Sequence, residues 1–293
     1  MIFSHGMVKS LLHTWRFIGR HPLASRNKRE AFLRWLRWQV GARILARPVV
    51  MPFVGEAVLV VEPGMTGATG NIYCGLHEFA DMAFVLHYLR RGDLFADIGA
   101  NIGSYSVLAA KVAGANVIAV EPVLETFVRL QRNLRMNFLE EKVEVYQCAV
   151  GNASGVIRFT ADQDTTNRVV QGGYAGRSIE VPVNTLDGIL ARRSTIMWKI
   201  DVEGFEREVL AGAANALRDE HLNVVLLESD DDQLRCAMTA AGFQRTMYDP
   251  FRRDLRLADG RASAGNNLWV RNISIVQAQC QAAPKHEILG VEF

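Results

Sequence analysis

Long apolar runs are missing from this 293-residue sequence. The longest, such as Ala57–Val61 and Val224–Leu227, fall far short of the roughly 18 residues that a transmembrane helix needs. Residues 1–9 also lack the uninterrupted apolar core and the small-residue cleavage site of a secretory signal. These absences argue against an integral membrane protein and lead us to expect a cytoplasmic one.

Cysteine is scarce as well. Four cysteines are widely spaced without a CxxC pair, and seven histidines form neither an HExxH motif nor a zinc-type cluster with cysteine. A chain of this length can bury an adequate core without disulfides. We therefore expect free thiols, a reducing compartment and no metal. The acidic run 230–232 is more typical of a solvated helix start than of a metal site.

Positive charge is concentrated at the start of the chain. Residues 1–50 contain ten Lys or Arg and a single acid, a net charge of +9, so the remainder carries −7 of the total +2. Mostly apolar residues at three- and four-residue steps predict an amphipathic helix that ends before Pro48. They are Phe32, Trp35, Leu36, Gln39, Val40 and Ile44. Such a helix suits an anionic membrane surface or a phosphorylated substrate, but we favour packing on the body of the protein or on a second subunit. Nucleic acid is not an expected partner.

Short apolar runs alternate with amphipathic stretches through the middle of the chain, which predicts a doubly wound α/β fold with a parallel sheet. The predicted strands are Leu94–Ile98, Asn116–Val120, Val143–Cys148, Ile196–Ile200 and Val224–Glu228. The predicted helices between them are Tyr105–Ala113, Leu124–Asn137, Glu206–Leu217 and Gln233–Ala241. Period-two alternation in Gly155–Thr160 and Ser178–Val183 predicts an antiparallel excursion. Two further strands are predicted at Gln244–Tyr248 and Asn267–Arg271, joined by a turn-rich stretch.

The remaining segments complete the expected organisation. Val58–Val61 is a predicted short strand, Gly64–Gly75 a glycine-rich loop and Ala80–Leu89 a helix. The tail beyond Asn272 shows no clear period, and we expect it to be mobile. We therefore divide the chain into a basic helical extension (1–50), a strand, loop and helix lead-in (51–92), an α/β domain (93–272) and a C-terminal tail (273–293).

A glycine-rich turn follows the first of the parallel strands. Gly99 and Gly103 flank Asn101, and a helix begins directly afterwards, so backbone N–H groups at the helix start are free for a polar ligand. Glu121 ends the next strand, where an acid can accept the ribose hydroxyls of an adenosine cofactor. NAD and S-adenosylmethionine both fit that position. The GxGxxG pattern is absent, however, and Asp97 would repel a pyrophosphate, which favours S-adenosylmethionine over an NAD-linked oxidoreductase.

A second cluster of charges lies at the end of the fourth parallel strand. Lys199, Asp201 and Glu203 follow or end an apolar run, where ligands bind in open α/β sheets. Opposite charges crowded at such a position perturb proton affinities and suggest catalysis. The structural alternative is that the acids cap the following helix. A non-catalytic cofactor-binding protein is the corresponding alternative for the whole chain.

These motifs resemble the FkbM-type S-adenosylmethionine-dependent methyltransferases over roughly residues 75–230. The resemblance rests on Gly92-Asp-Leu-Phe-Ala-Asp-Ile-Gly-Ala-Asn-Ile-Gly-Ser-Tyr-Ser106, on Val120-Glu-Pro122 with Asn133, on Asn184-Thr-Leu-Asp187, and on Lys199-Ile-Asp-Val-Glu-Gly-Phe-Glu206 with Val209-Leu210 and Gly212-Ala213. It implies a class I, Rossmann-like methyltransferase fold, with a seven-stranded, mostly parallel sheet closed by an antiparallel strand. It also implies methylation of a hydroxyl oxygen on a sugar or natural product, with a glycan favoured because members often accompany polysaccharide biosynthesis genes.

The resemblance also implies roles for individual residues. The S-adenosylmethionine site, which would release S-adenosylhomocysteine, would be formed by Glu78, Asp97, Gly99, Ala100, Asn101, Gly103, Ser104, Glu121, Pro122, Cys148, Ala149 and Asp201. Glu121 would bind the ribose, and Cys148 and Ala149 would lie near the adenine. Asp201 is the first choice of general base, followed by Glu203 or His77, with Lys199 keeping the carboxylate ionised.

Overall fold

A computed structural model describes residues 14–45, 47–160, 176, 178–258 and 265–293. Its centre is one eight-stranded sheet. The strands are β3 (Leu94–Ile98), β4 (Asn116–Val120), β5 (Val143–Tyr146), β9 (Met197–Ile200), β10 (Val224–Leu227), β11 (Gln244–Asp249), β12 (Asp254–Leu257) and β13 (Asn267–Val270). Their order across the sheet is β12-β11-β13-β10-β9-β3-β4-β5.

The parallel part of the sheet confirms the predicted alternation. Strands β5, β4, β3, β9 and β10 pair in parallel, and every residue of β9 and β10 is buried. Their sequences are mostly apolar because helices cover both faces of the sheet. The helices are α5 (Ser104–Val107), which continues as a π-helical stretch Leu108–Ala113, α6 (Leu124–Met136), α7 (Leu186–Leu190), α8 (Glu206–Ala211) and α9 (Asp232–Ala240).

The far end of the sheet confirms the predicted closing strand but not the predicted number of strands. β13 runs antiparallel to β10, and β11 runs antiparallel to β13. The eighth strand, β12, pairs with β11 inside the stretch that we predicted to be only a turn. A reversal at Arg253, whose φ is 53°, brings β12 back along β11. β12 has only four residues and one buried side chain, so it leaves no apolar pattern in the sequence.

A second, three-stranded sheet stands beside the main one. It consists of β6 (Ala149–Val150), β7 (Gly155–Thr160) and β8 (Ser178–Asn184) in the order β6-β8-β7. β7 and β8 pair antiparallel, as predicted. The predicted strand Val143–Cys148 is shorter than expected, because the chain leaves the main sheet after Tyr146 and joins the small sheet at Ala149.

Two sequence predictions for the flanking segments are wrong. The stretch predicted as a glycine-rich loop, Gly64–Gly75, contains helix α3 (Thr66–Cys74), which lies between β2 (Val58–Val61) and α4 (Phe79–Tyr88). β2 itself pairs antiparallel with β1 (Val49–Pro52). Glycine is needed at position 70 of this helix because a Cβ there would lie 2.0 Å from Nδ1 of His77 and clash with it. Close packing, rather than a turn, explains this glycine.

The C-terminal tail is also ordered, contrary to the prediction. It forms helix α10 (Ile273–Gln281) and a small hairpin of β14 (Glu287–Ile288) and β15 (Val291–Glu292). Val276 and Cys280, one helical turn apart, are fully buried, and Phe293 packs edge-on against Phe79 of α4. Two buried positions in nine residues are too few to give a clear helical period in the sequence.

The basic N-terminal segment is helical, as predicted, but packs through an unexpected face. It comprises α1 (14–20), a short 3-10 turn at Ala24–Asn27 and α2 (Lys28–Leu45). α2 buries Ala31, Trp38 and Ala42 against the body. The predicted apolar stripe lies on the other side, where Phe32, Leu36, Val40 and Ile44 are exposed. The stripe therefore does not pack on the body, apart from the half-buried Trp35, and its packing on a second subunit stays a prediction.

Asn133 connects α6 to two other elements and gives the first prediction. Its side chain accepts the Val60 N–H at 2.7 Å and donates to the Ile102 carbonyl at 2.8 Å, and it is fully buried. We expect Asn133→Ala to lower the free energy of unfolding by about 2–4 kcal/mol, because two buried backbone groups lose their partners. Urea denaturation measures the change. Asn116→Ala, at an exposed position, is the control and should change stability by less than about 0.5 kcal/mol.

Candidate active site

A cleft of about 320 Å³ lies at the carboxyl ends of β3, β4 and β9 and is covered by α3 and the start of α4. This size falls within the usual range of small-molecule sites. Thirteen of the predicted site residues line it: His77, Glu78, Gly99, Ala100, Asn101, Ser104, Glu121, Pro122, Cys148, Ala149, Lys199, Asp201 and Glu203. Asp97 and Gly103 lie outside the lining.

The glycine-rich turn forms the floor of the cleft. The N–H groups of Gly99 and Ala100 both donate to the Val120 carbonyl at 2.9 Å, which folds the turn back over β4. Gly99 has a φ of 80°, and a Cβ there would lie 1.9 Å from the Asp201 carbonyl oxygen. Only glycine allows the turn to touch the end of β9 in this way. Gly103, with a φ of 87°, packs against Leu130 and starts α5.

Asp97 supports the turn from behind. It is fully buried, and strand pairing places it directly opposite Lys199. Ser106 donates a hydrogen bond to its Oδ2 at 2.6 Å, while Oδ1 has no partner among the described residues. Burial raises the pKa of this carboxyl, against the opposing effect of the Lys199 ammonium. Asp97 is therefore placed to hold the turn and Lys199 rather than to face the cleft.

Glu121 lies at the end of β4 with both carboxylate oxygens occupied. Oε2 accepts the Asn101 N–H at 3.0 Å, and Oε1 accepts the Val123 N–H at 2.9 Å. The side chain is almost completely buried, and burial raises its pKa to about 7 although both hydrogen bonds favour the charged form. This carboxyl therefore titrates near neutral pH.

The buried Lys199 and the partly exposed Asp201 form an ion pair at the end of β9. The Lys199 Nζ lies 2.7 Å from Oδ2 of Asp201 and 4.8 Å from the centre of the Tyr105 ring. Burial would lower the lysine pKa, but the carboxylates of Asp201 and Asp97 raise it above its usual range. Burial likewise opposes the ionisation of Asp201, yet the nearby ammonium holds the pKa of Asp201 below its usual range. Both groups are charged at neutral pH.

Glu228 is a site residue that the sequence analysis missed. It follows β10 and brings a carboxylate oxygen within 4.8 Å of oxygens of Asp201 and Glu203. Burial and the charge of Asp201 raise the pKa of Glu228 to about 8. At neutral pH Glu228 therefore carries a proton, which it shares in a hydrogen bond with the ionised Asp201. The signal was present in the sequence, since Glu228 ends an apolar strand just as Asp201 does.

The three carboxylates could also hold a cation. Within the ranges that the structure describes, they are the one cluster of His, Cys and acidic side chains compact enough for a metal ion. The positive charge of Lys199 and the proton on Glu228 already compensate much of the negative charge of these carboxylates. The acidic run 230–232 does not join them: Asp231 caps α9 through the N–H groups of Gln233 and Leu234.

His77, which precedes α4, also lines the cleft. Its backbone N–H donates to Oδ1 of Asn71 at 2.7 Å, and its ring packs 5.1 Å from the ring of Phe17 in α1. Burial lowers the pKa of His77, so the imidazole is neutral at pH 7 and can accept a proton. Its neighbour Glu78 accepts a hydrogen bond from the Tyr105 hydroxyl at 2.8 Å.

Several residues that line the cleft were not predicted to be site residues from the sequence. They include Met65, Ala68 and Asn71 from the lead-in, Tyr105 and Phe159, and Asn266 before β13. The α3 residues were missed because that segment was predicted to be a loop. Phe159 was predicted as part of a strand, but only its packing with Val123 and Ala149 brings it to the cleft.

Other motif residues close turns around the site. Thr185 caps α7 by accepting the Gly188 N–H at 3.1 Å, and Asp187 accepts the N–H of Ala216 at 2.8 Å. Glu206 is buried and accepts the N–H groups of Val202 and Gly204 at 3.4 and 3.2 Å. The two hydrogen bonds of Glu206 fix the loop after β9, in which Glu203 has a φ of 53°.

Comparison with known proteins agrees with this site. Residues 97–245, just over half of the chain, match the family model for the methyltransferase FkbM domain. The chain belongs to this family. Its mostly parallel sheet, closed by an antiparallel strand, agrees with the Rossmann-like fold expected for this family. No helix in the described ranges is long and apolar enough to cross a membrane.

Three curated methyltransferases are similar in sequence. The 31-O-demethyl-FK506 methyltransferase FkbM of Streptomyces tacrolimicus is 31% identical over 47% of this chain and 66% of its own length. The ribosomal protein L11 methyltransferase of Syntrophomonas wolfei is 31% identical over 45% of this chain and 42% of its own length. The hexuronic acid methyltransferase AglP of Haloferax volcanii is 28% identical over 49% of this chain and 59% of its own length. The chain thus spans 42–66% of the length of these relatives.

The raised pKa of Glu228 predicts how stability depends on pH. Below the unfolded-state pKa of about 4.5, Glu228 is protonated in both states; between there and pH 8, only the folded state keeps the proton. The free energy of unfolding should therefore fall as the pH rises from 5 to 8. Glu228→Gln, which keeps a hydrogen-bond donor for Asp201, should flatten this slope in denaturation curves. The exposed Glu220→Gln should leave it unchanged; equal slopes in all three proteins would contradict the assignment.

Proposed function

We propose that this protein transfers a methyl group from S-adenosylmethionine to a hydroxyl oxygen of a sugar, glycan or related natural product. The observation that carries the proposal is the ionised Asp201 carboxylate, held by a buried lysine at the cleft beside the glycine-rich turn. The relatives named for methylation of an FK506 precursor and of a hexuronic acid support acceptors of this class.

The polar and apolar groups of the cleft suit the parts of that cofactor. Glu121 would accept the two ribose hydroxyls, exchanging its present backbone partners or adding to them. Cys148, Ala149 and Phe159 offer an apolar wall for the adenine, and the turn at Gly99 offers backbone for the methionine end. When bound, the sulfonium supplies an electrophilic methyl group; the chain must then align the acceptor and remove its proton.

Asp201 is the group best placed to take that proton. A sugar hydroxyl is a poor nucleophile until a base accepts its hydrogen, and Asp201 is ionised at neutral pH. Lys199 orients the carboxylate through Oδ2, which leaves Oδ1 for Glu228 or an acceptor hydroxyl. Glu203, close to Asp201, and the neutral His77 also line the cleft, so both are alternative bases.

The cofactor role of Glu121 predicts a pH-dependent affinity. Ribose hydroxyls bind the carboxylate form, and the pKa of Glu121 is about 7. S-adenosylhomocysteine should therefore bind about tenfold more weakly at pH 6 than at pH 8, because binding at pH 6 must first expel a proton. Calorimetry in two buffers with different ionisation enthalpies would detect that proton.

Matched variants separate Glu121 from other titrating groups. Glu121→Gln should weaken binding at pH 8 by roughly 5- to 100-fold, equivalent to about 1–3 kcal/mol, and abolish the pH dependence. Glu140→Gln, an exposed substitution after α6, should behave like the native protein. Unchanged affinity in Glu121→Gln would remove Glu121 from the cofactor site.

The role of Asp201 predicts a separation of binding from turnover. Asp201→Asn should keep S-adenosylhomocysteine affinity within about tenfold of the native protein but lower kcat by roughly 10²–10⁴. Asp232→Asn, at a side chain that is 96% exposed, is the control and should keep full activity. If Asp201→Asn lost cofactor affinity while retaining kcat, Asp201 would be a binding residue instead.

The acceptor itself is identified by label transfer. The protein is incubated with methyl-labelled S-adenosylmethionine and a panel of sugars, nucleotide sugars, lipid-linked glycans and ribosomal protein L11. Label on a sugar oxygen is the expected result. Label on an amino nitrogen of the protein acceptor would overturn oxygen transfer and point to the activity named for the Syntrophomonas relative. Binding of NAD without S-adenosylhomocysteine would overturn the methyl-transfer proposal altogether.

A further inference from the structure

Helix α2 presents a continuous apolar face to solvent. Five large side chains, Phe32, Leu33, Leu36, Val40 and Ile44, are between 36% and 76% exposed. At 3.6 residues per turn, they fall within roughly a third of the circumference of the helix. Trp15 of α1, which is 45% exposed, packs edge-on against Phe32 at 5.2 Å and extends this face.

Basic side chains surround the apolar face. Those that are exposed in and around α2 are Arg16, Arg20, Arg26, Lys28, Arg29, Arg37, Arg43 and Arg47. Glu30 is the single acid among residues 1–50. On the helical wheel, Arg29 and Arg43 lie within the apolar arc and Arg37 lies at its edge. Long arginine stems can lie along an apolar surface while their charged ends reach outward.

The opposite face of α2 fixes the helix to the body. Ala31, Trp38 and Ala42 are buried, and the Arg34 guanidinium donates to the Tyr73 carbonyl from Nη2 at 3.0 Å. Tyr73 belongs to α3, the helix that covers the cleft. α2 therefore holds its apolar arc in a fixed orientation, about one helix diameter, or ~10 Å, from the cleft wall.

We propose that the exposed face of α2, with Trp15, docks on the surface of an anionic membrane. Its apolar side chains would enter the boundary between headgroups and acyl chains, and the surrounding arginines would contact lipid phosphates. A second copy of the chain fits this face less well, because a symmetric contact would bring two segments of net charge +9 together. The docking concerns this surface alone and stands whether or not methyl transfer is the reaction.

The test measures binding of the full-length protein to vesicles. Flotation is compared between neutral phosphatidylcholine vesicles and vesicles with 30 mol% phosphatidylglycerol, at low and at high salt. We expect binding only to the anionic vesicles and its loss at high salt, because the charge contribution is screened. Free phosphate at millimolar concentration should not displace the protein, since an isolated anion offers no apolar surface.

Paired variants locate the contact. Val40→Glu should reduce vesicle binding at least tenfold, whereas Val128→Glu, at an equally exposed valine on α6, should not change it (both are 50% exposed). The double variant Arg29→Gln/Arg37→Gln should reduce binding about 25-fold, at about fivefold for each charge. The exposed pair Arg135→Gln/Arg218→Gln is its control. Circular dichroism checks that each variant is folded.

Three outcomes would overturn the proposal. The first is that native protein fails to float with anionic vesicles at low salt. The second is that Val40→Glu and Val128→Glu bind equally well. The third is a dimer, seen by analytical ultracentrifugation, that Val40→Glu dissociates while vesicle binding is absent; that result would assign the face to a second copy of the chain.

Discussion

The buried ammonium of Lys199 determines how the ends of the central strands are arranged. An unpaired charge inside a protein is strongly unfavourable, so Lys199 must keep its anionic partners. Asp97 lies opposite it on β3, and Asp201 follows it on β9. Any slip between these strands would separate the charges. The same register brings the turn at Gly99 against the Asp201 carbonyl, where only glycine fits.

This arrangement gives the acids of the cleft different proton affinities. Asp201 is held ionised by Lys199, Glu228 is kept protonated by the neighbouring Asp201, and Glu121 lies between the two with a pKa of about 7. Their chemical type is nearly identical, so the difference comes from burial and from the nearest charge. One site can therefore contain a base, a proton donor and a cofactor-responsive acceptor at the same pH.

The sequence predicted those features that follow from strand endings. Apolar runs marked the parallel strands within one or two residues, and acids directly after them marked Glu121 and Asp201, both of which line the cleft. Glu228 obeys the same rule but went unassigned because it was counted as part of its strand. The close contact of Gly70 with His77 leaves no mark in the sequence, where the glycines of this stretch indicate a turn, so helix α3 was missed.

Helix α2 shows why periodicity predicts a helix more reliably than it predicts the face that packs. The pattern of large apolar residues is real, but the buried contact is made by two alanines, one tryptophan and the stem of Arg34. Small residues let α2 approach the body closely, and the guanidinium satisfies a carbonyl of α3 that would otherwise lack a partner. The large apolar residues then remain on the outside. A face that keeps five such side chains in water, ringed by arginines, is maintained at a cost in hydration free energy, which a contact outside the chain would recover.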